Sequence, residues 1–539
     1  MIIIVLIFIA ITSGSINGER TRKNPNDVCA YLTINNTYSC ELFNVNITSK
    51  NQAFTINAKE QQDTPHLVRR VYFAYGQIMR YVHPQILRTF TFLRTLILKN
   101  VLLFEIDETS FFNCSDLEYL DLSNNILEYI GKGVFVRCPK LKIIDLSYNR
   151  LDRIEEQAFI NLANLTQLNL EENFLVIYNQ PSYSWNLPKL EILNLSDNYI
   201  LTLSDNLIHS FILKDLNLSD NRIMTIPRYF FQHSRALIRL KLDRNRLQFS
   251  YDCPFSYLVN VEYVYLQYNL ITNINCGLFS NMSNLKELRL EGNFIYAMCP
   301  ETFTTLKKLI FLDISFNIFS NVVSNPKIPL QDLNELQILD MSHNSIQFLA
   351  HGFGLSENNK IKELKLSHNK IYNIYPNMFE KMINLTILDL SYNRLITLSV
   401  ETLRNNYNLR VLKLSNNNFT RLNYEFFYNT LNLYLIDFSY NEINEIDVNL
   451  VTIFRNMMLM NFTENYCVNV NLVKTGNTAV GELNTTFNVC FQNYENRHPN
   501  EIQMPAIPTE SPHVSQSNLN EGSFQMQFFV AFVIVLRFC

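Results

Sequence analysis

Residues 117–127 read LEYLDLSNNIL, and the same pattern returns as LKIIDLSYNRL at 141–151 and as LTQLNLEENFL at 165–175. In each segment the first, fourth, sixth and eleventh positions are apolar and the ninth is Asn. The fourth and sixth positions flank one polar residue, which is the period of a β-strand with one buried face. Each segment therefore predicts a short strand followed by a turn.

The Asn at the ninth position fixes the period. Ten of the fourteen intervals between its successive copies are 24 residues long, and the others are 23, 25, 25 and 27. The copies are Asn125, Asn149, Asn173, Asn198, Asn221, Asn245, Asn269, Asn293, Asn317, Asn344, Asn369, Asn393, Asn417, Asn441 and Asn465. Two degenerate units, which begin at Val68 and Leu93, precede them, so the sequence predicts about 17 coils over residues 66–467. Such a period is typical of a solenoid whose coils bury their leucines against their neighbours.

Two features of the repeat predict how the coils stack. The Asn side chain both donates and accepts hydrogen bonds, so it can satisfy backbone groups that turn inward beyond the strand. Stacked coils would then form an asparagine ladder. A Phe ten residues after the Asn is expected to fill the opposite, wider side: Phe111, Phe135, Phe159, Phe231, Phe255, Phe279, Phe303, Phe379 and Phe427. The predicted fold is an α/β solenoid, a horseshoe with a parallel β-sheet on its concave face and a cap at each end.

This repeat resembles that of the leucine-rich repeat superfamily, in its 24-residue extracellular class. The chain is similar to insect adhesion proteins of the chaoptin and connectin type and to the ectodomains of Toll-type receptors. The resemblance implies a rigid curved surface that binds a protein ligand or co-receptor outside the cell. Toll receptors also carry a cytoplasmic signalling domain, which this sequence lacks, so we expect any signalling to need a partner.

Both ends of the sequence are apolar, which is typical of targeting segments. Residues 1–18 are predicted to be a secretory signal peptide, and the alternative is a buried first strand or an anchor helix. A polar stalk at 501–523 precedes a hydrophobic tail at 524–539. This order is typical of a GPI-attachment signal, with Ser515 as the attachment residue. A short membrane span and an exposed tail are the alternatives.

Cysteines flank the repeats. The resemblance implies one disulfide in each cap, Cys29 with Cys40 in an N-terminal cap at 19–65 and Cys467 with Cys490 at the join to a C-terminal cap at 468–500. Secretion permits disulfides, and the absence of any C-x-x-C argues against a zinc site.

The interior cysteines leave alternatives open. Cys114 and Cys138 share one repeat offset, and adjacent coils lie about 5 Å apart, so they form either a disulfide or two buried thiols. Two of the three cysteines in later coils can pair: Cys253, Cys276 and Cys299. If Cys539 is removed with the tail, an odd number remains, and one cysteine is predicted to be unpaired or bonded to another chain.

Sequons support a secreted glycoprotein. They are Asn35, Asn46, Asn113, Asn164, Asn194, Asn217, Asn281, Asn384, Asn418, Asn461 and Asn484. Asn194 and Asn217 occupy the fifth repeat position of successive coils, on the predicted inner wall. A glycan there would block part of the concave face.

Three consecutive coils differ from the rest at the third, fifth and eighth positions, which we expect on the inner wall. They carry Arg239, Lys241, Arg244, Tyr263, Tyr265, Tyr268, Glu287 and Arg289. Tyr and Arg are enriched at interface hot spots, so this set, the aromatic patch, is the predicted partner-binding site. The alternative is drift at unconstrained surface positions.

Several function classes are excluded. Gly is scarce, with 12 residues, and no phosphate-binding glycine loop is present. A net charge of −4 does not fit nucleic-acid binding. No catalytic motif is present, and we predict no enzyme activity, no cofactor and no metal. His343 and His368, at the eighth position of adjacent coils, could form a shallow metal or pH-sensitive pair, but surface histidines are commonly just surface.

The sequence therefore predicts a receptor-like recognition or cell-adhesion protein, either GPI-anchored at the outer leaflet or secreted. One alternative is a soluble innate-immunity recognition protein, disulfide-linked to a partner or forming a homodimer or heterodimer. Another is a structural matrix protein that uses its repeats as a spacer.

Overall fold

The computed structural model describes residues 29–56, 65–176, 184–205, 207–249, 253–320, 329–350, 354–454, 457–473 and 480–498. The chain forms two compact units, each a stack of coils. The N-terminal unit comprises residues 1–319 and 326–336, and the C-terminal unit comprises residues 320–325 and 337–539.

The N-terminal unit contains strands β1 to β21. They are β1 (Cys29–Ile34), β2 (Thr37–Leu42), β3 (Asn46–Ile47), β4 (Arg70–Phe73), β5 (Ile78–Met79), β6 (Thr95–Ile97), β7 (Tyr119–Asp121), β8 (Tyr129–Ile130), β9 (Ile143–Asp145), β10 (Arg153–Ile154), β11 (Gln167–Asn169), β12 (Trp185–Asn186), β13 (Ile192–Asn194), β14 (Ile208–His209), β15 (Asp215–Asn217), β16 (Arg239–Lys241), β17 (Tyr263–Tyr265), β18 (Asn273–Ile274), β19 (Glu287–Arg289), β20 (Ala297–Met298) and β21 (Phe311–Asp313). A 3₁₀ helix (Pro65–Leu67) and helix α1 (Pro84–Thr89) complete it.

The C-terminal unit contains strands β22 to β32 and most of the helices. The strands are β22 (Ile338–Asp340), β23 (Phe348–Leu349), β24 (Glu363–Lys365), β25 (Asn373–Ile374), β26 (Ile387–Asp389), β27 (Val411–Lys413), β28 (Arg421–Leu422), β29 (Leu435–Asp437), β30 (Glu445–Ile446), β31 (Leu459–Asn461) and β32 (Asn471–Val473). The helices are α2 (Val451–Phe454), α3 (Val480–Thr486), α4 (Asn488–Arg497) and two 3₁₀ helices (Tyr424–Phe427 and Val448–Leu450).

One strand per coil forms the main sheet of each unit. Apart from the antiparallel pairs β1–β2 and β31–β32, neighbouring strands are parallel and pair at the same repeat position, so Leu120 lies beside Ile144 and Ile144 beside Leu168. The middle residue of each of these three strands is buried, and the third and fifth repeat positions point to the other side, which we call the sheet face. This confirms the predicted leucine-rich repeat solenoid with its parallel sheet.

The asparagine ladder is present as predicted. Asn149 Nδ2 donates to the carbonyl of Leu122 in the preceding coil at 3.0 Å, and its Oδ1 accepts from the backbone N–H of Leu127 at 3.1 Å. The residue before each ladder Asn has a positive φ, for example +54° at Tyr148 and +52° at His368. This left-handed turn directs the Asn side chain into the core. There it hydrogen-bonds backbone groups of its own coil and of the preceding coil.

The opposite side of the coils consists of turns, two-residue parallel strands and the predicted Phe column. Ring centroids of Phe111 and Phe135 lie 5.6 Å apart, and all the predicted Phe residues are buried. Further Asn side chains here donate to a carbonyl 25 residues earlier, as Asn281 does to Ser256 at 2.7 Å and Asn432 to Tyr407 at 2.8 Å. These outer rows, which the sequence analysis did not predict, help to explain why Asn is abundant.

Disulfides fasten both ends. Cys29 and Cys40 join the antiparallel pair of β1 and β2, with their Cα atoms 5.6 Å apart. Cys467 and Cys490 join the last strand region to α4, at a Cα separation of 5.1 Å. Phe487, the residue before α4, is fully buried beside Phe462, and the buried Phe491 of α4 packs against it, so α4 also covers the apolar end of the C-terminal unit.

The predicted targeting segments at 1–18, 501–523 and 524–539, with Ser515, lie outside the described residues. Within the part of the chain that is described, no helix has the length and hydrophobicity needed to cross a bilayer.

Candidate recognition surface

The structure brings the residues of the aromatic patch together on the sheet face of the N-terminal unit. Strands β16, β17 and β19 are adjacent and parallel. Their outward positions align as two rows, one of Arg239, Tyr263 and Glu287 and the other of Lys241, Tyr265 and Arg289. The repeat spacing alone predicts this alignment, because equal positions in successive coils become lateral neighbours.

The charges of the patch are largely paired within the sheet face. Arg239 Nη1 lies 2.8 Å from Asp215 Oδ2 in the preceding coil, and Arg289 Nε lies 2.7 Å from Glu287 Oε1. Arg244 contacts Asp220 at 3.3 Å. The patch is therefore an aromatic surface with neutralised charges. Asp215 and Asp220, which complete it, were absent from the predicted set.

Aromatic rings fill the spaces between these ion pairs. The Arg239 guanidinium lies 5.0 Å from the centroid of the Tyr263 ring, and that of Arg289 lies 4.6 Å from Phe311. Tyr268 is half exposed, and its ring covers Gly292 of the next coil so closely that a Cβ there would lie 2.4 Å from Tyr268 Cδ1. Phe311 and Gly292 are further members that sequence reasoning missed.

Burial raises the pKa of two acidic groups on this surface, Tyr265 and Glu291. Burial and the nearby Glu287 carboxylate raise the pKa of Tyr265, which stays protonated at neutral pH. Burial, with a further contribution from Asp313, raises the pKa of Glu291 to about 7. Glu291 Oε2 is buried and has no hydrogen-bond partner among the described residues, which fits a carboxyl that is easily protonated.

The expectation that the fifth repeat position lies on the inner wall needs one correction, because several of its residues, such as Asp121 and Asp145, are buried. Ser147 donates to Asp145 Oδ1 through both its backbone N–H at 2.9 Å and its hydroxyl at 2.6 Å, and both residues are buried. The carboxylate turns back to cap the start of the turn, as short polar side chains commonly do. In the coils with a buried fifth position, the third and eighth positions therefore provide more of the exposed surface.

The sequons Asn194 and Asn217 have the same structural role as these aspartates. Asn194 Oδ1 accepts from Ser196 at 2.8 Å, and Asn217 Oδ1 accepts from Ser219 at 2.6 Å. Their sequons thus coincide with the Asp-Leu-Ser pattern of the repeat, with Asn in place of Asp. Outer-row sequons such as Asn164 and Asn384 likewise hydrogen-bond to the preceding coil.

The interior cysteines form disulfides. Cys114 and Cys138 are bonded, with Cα atoms 4.8 Å apart, and so are Cys276 and Cys299, at 5.1 Å. No cysteine is free among the described residues, so the predicted spare cysteine for a covalent partner is not found there. Glu301 lies beside the Cys276–Cys299 bridge, but bridged sulfurs are not thiolate ligands for a metal.

The predicted histidine pair is present in the C-terminal unit. The rings of His343 and His368 stack with centroids 4.1 Å apart, and His368 stacks on Tyr392 at 4.0 Å. Burial and the neighbouring imidazole lower the pKa of His343.

The family model described as Leucine rich repeat matches residues 91–146, 125–175, 212–271, 259–319, 283–346, 334–395 and 359–419. These matches cover more than half of the chain, and the chain belongs to the leucine-rich repeat family.

Its resemblance is to Toll receptor ectodomains. Over 230 residues it is 29% identical to Toll-like receptor 3 of Bos taurus, a match that covers 42% of this chain and 23% of the receptor. The chain thus spans about a quarter of the length of that relative.

Solved structures show the same fold. A leucine-rich repeat protein of Leptospira interrogans superposes with a TM-score of 0.55 at 20% identity, over 79% of this chain and 95% of that chain. Toll in the Toll–Spatzle complex of Drosophila gives a TM-score of 0.51 at 18% identity, over 75% and 72% of the respective chains.

Proposed function

We propose that this chain is a non-catalytic extracellular recognition protein that binds a protein ligand through the sheet face of its N-terminal unit. The observation that carries the proposal is the aromatic patch. Its Tyr rings are held in place by paired arginines, and preorganised aromatic anchors surrounded by satisfied charges are typical of interface hot spots. Toll, whose fold is similar, is a receptor solved in complex with Spatzle.

The test removes the two central rings together. Affinity capture with the secreted chain identifies ligands, and surface plasmon resonance then compares the Kd of wild type and the Tyr263→Ser/Tyr265→Ser variant. We expect the Kd to rise about 30-fold or more, because truncated hot spots cost at least about 2 kcal/mol. Tyr392→Ser/Tyr440→Ser, which removes two exposed rings of the C-terminal unit, is the matched control. An unchanged Kd in the first variant rejects the patch.

We further propose that the chain is held at the outer leaflet by a lipid at Ser515. Support comes from the order of stalk, small-residue site and apolar tail in the sequence. Treatment of intact cells with a phosphatidylinositol-specific phospholipase should release the protein into the medium. Retention on the treated cells, or secretion without treatment, contradicts this anchor.

A further inference from the structure

A second feature of the N-terminal sheet face lies beside the aromatic patch. It is a groove of about 370 Å³, which we call the acidic groove, and its lining includes Ser123, Asp121, Asp145 and Glu171. This volume falls within the range of about 300–1,000 Å³ that is usual for ligand pockets. The groove runs across the strands from β7 towards β16, so a ligand on the aromatic patch could reach it.

Three of the four carboxylates that line the groove lack cationic partners, and the fourth, Asp215, is paired with Arg239. Asp121 and Asp145 are direct neighbours in the parallel sheet, and neither forms an ion pair with any described residue, nor does Glu171. Lys99 and Lys241 lie at its two ends without an ion pair to these carboxylates. Burial raises the pKa of both Asp145 and Glu171, with a further contribution from Asp121 at Asp145 and from Asp197 at Glu171.

The same repeat position in the C-terminal unit shows the opposite arrangement. There Asp and Lys alternate from coil to coil. Asp340 lies 3.6 Å from Lys365, and Asp389 lies 3.3 Å from Lys413. Adjacent like charges in the groove are therefore a local feature and not a general property of the repeat.

A buried hydroxyl in the groove also lacks a partner. Ser123 is 1% exposed, and its Oγ makes no hydrogen bond with the described residues. The equivalent hydroxyl in the next coil, Ser147 Oγ, donates to Asp145 at 2.6 Å. An unsatisfied buried hydroxyl costs free energy unless something else supplies its partner. Because Ser123 lies in the lining, a ligand in the groove can supply one.

We infer that the acidic groove binds an arginine side chain of the protein ligand. A guanidinium carries five N–H donors in a fixed fork, which suits several acceptors that converge from different strands. Asp121, Asp145 and Glu171 supply the carboxylates, and the Ser123 hydroxyl supplies a further acceptor. The inference rests on the proposed function and adds the chemical class of the group that is recognised.

Two sequons bear on the inference. Asn194 Nδ2 donates to Glu171 Oε2 at 3.1 Å, and Asn194 and Asn217 both line the groove. Their occupancy is therefore measured by mass spectrometry, and binding is measured on protein whose glycans are trimmed to one sugar by an endoglycosidase.

The experiment uses a fluorescein-labelled tetra-arginine peptide and the full secreted chain in a fluorescence anisotropy titration. A tetra-citrulline peptide, which keeps the shape and lacks the charge, is the control probe. Glu171→Gln tests one carboxylate. Asp145→Asn alone would create an Asn-Leu-Ser sequon, so it is combined with Ser147→Ala and compared with Ser147→Ala alone. Glu363→Gln, which removes a sheet-face carboxylate of the C-terminal unit 3.1 Å from Lys365, is the matched charge control.

We expect the arginine peptide to bind and the citrulline peptide not to bind. The arginine peptide should bind Glu171→Gln and the Asp145→Asn/Ser147→Ala variant about tenfold more weakly. Glu363→Gln should match wild type, and Ser147→Ala serves only as the reference for the double variant. Any of three results overturns the inference. They are equal weakening of peptide binding by Glu363→Gln, unchanged peptide binding in the groove variants, and binding of Ca²⁺ that the peptide cannot displace. The groove can fail this test while Tyr263→Ser/Tyr265→Ser still weakens binding of the captured ligand. In that case the arginine inference is wrong and the proposed function is retained.

Discussion

At Gly292, a side chain of the preceding coil determines which residue fits the repeat position. The other residues that precede a ladder Asn carry side chains at similar positive φ, among them Tyr148, Glu172 and His368. A positive φ therefore does not by itself require glycine at this position. The Tyr268 ring does, because it occupies the space that a Cβ at position 292 would need.

This contact predicts that substitutions at Gly292 and Tyr268 affect stability non-additively. Gly292→Ala should lower the free energy of unfolding by about 1–3 kcal/mol in the wild-type background, since the ring must move out of its place. In the Tyr268→Ala background only the backbone term of about 1 kcal/mol should remain. Guanidinium unfolding followed by circular dichroism measures both values. Equal losses in the two backgrounds would show that the ring is not the cause.

Glu291 predicts a pH-dependent stability. Its folded pKa, about 7, lies above the ordinary value of 4.5, so the folded state holds a proton that the unfolded state releases. The free energy of unfolding therefore falls as pH rises from about 4.5 to about 7 and stays low above it. Glu291→Gln should stabilise the protein by about 1–2 kcal/mol at pH 8, allowing for partial exposure, and by little at pH 4. Unfolding midpoints at the two pH values test this, and an equal gain at both contradicts the assignment.

At the scale of the elements, replacing a ladder Asn by Leu should cost more stability than replacing a strand leucine by Ile. Asn221 donates to the Leu195 carbonyl at 2.9 Å and accepts from the Ile200 N–H at 3.0 Å, so Asn221→Leu leaves both groups buried and unpaired. We expect a loss of about 2–4 kcal/mol in the free energy of unfolding. Leu216→Ile, a buried swap of equal volume in β15, should cost less than about 1.5 kcal/mol. A larger loss for Leu216→Ile in guanidinium unfolding would refute the ranking.

The repeat makes the elements predictable because one spacing sets strand, turn and ladder together. The register of Asn149 and Asn173 and the lateral row of Arg239 and Tyr263 follow directly from a period near 24. The single-coil pattern does not reveal which side chains of adjacent coils neutralise or cover one another. The pairing of Arg239 with Asp215 and the unpaired hydroxyl of Ser123 depend on distances between coils, so they required the structure.

At the scale of the whole molecule, neighbour-to-neighbour packing predicts how damage spreads within a unit. In a solenoid each coil contacts only the coils beside it, so a defect should loosen its neighbours and leave distant coils unchanged. In Asn221→Leu, amide hydrogen exchange should become faster in β13, β15 and β16, which lie around the missing ladder contacts. Exchange in β1 and β2, which a disulfide and an antiparallel pair hold, should match wild type. Leu216→Ile, at the same coil, is the control. A uniform acceleration across the N-terminal unit would mean that the unit opens as one cooperative block.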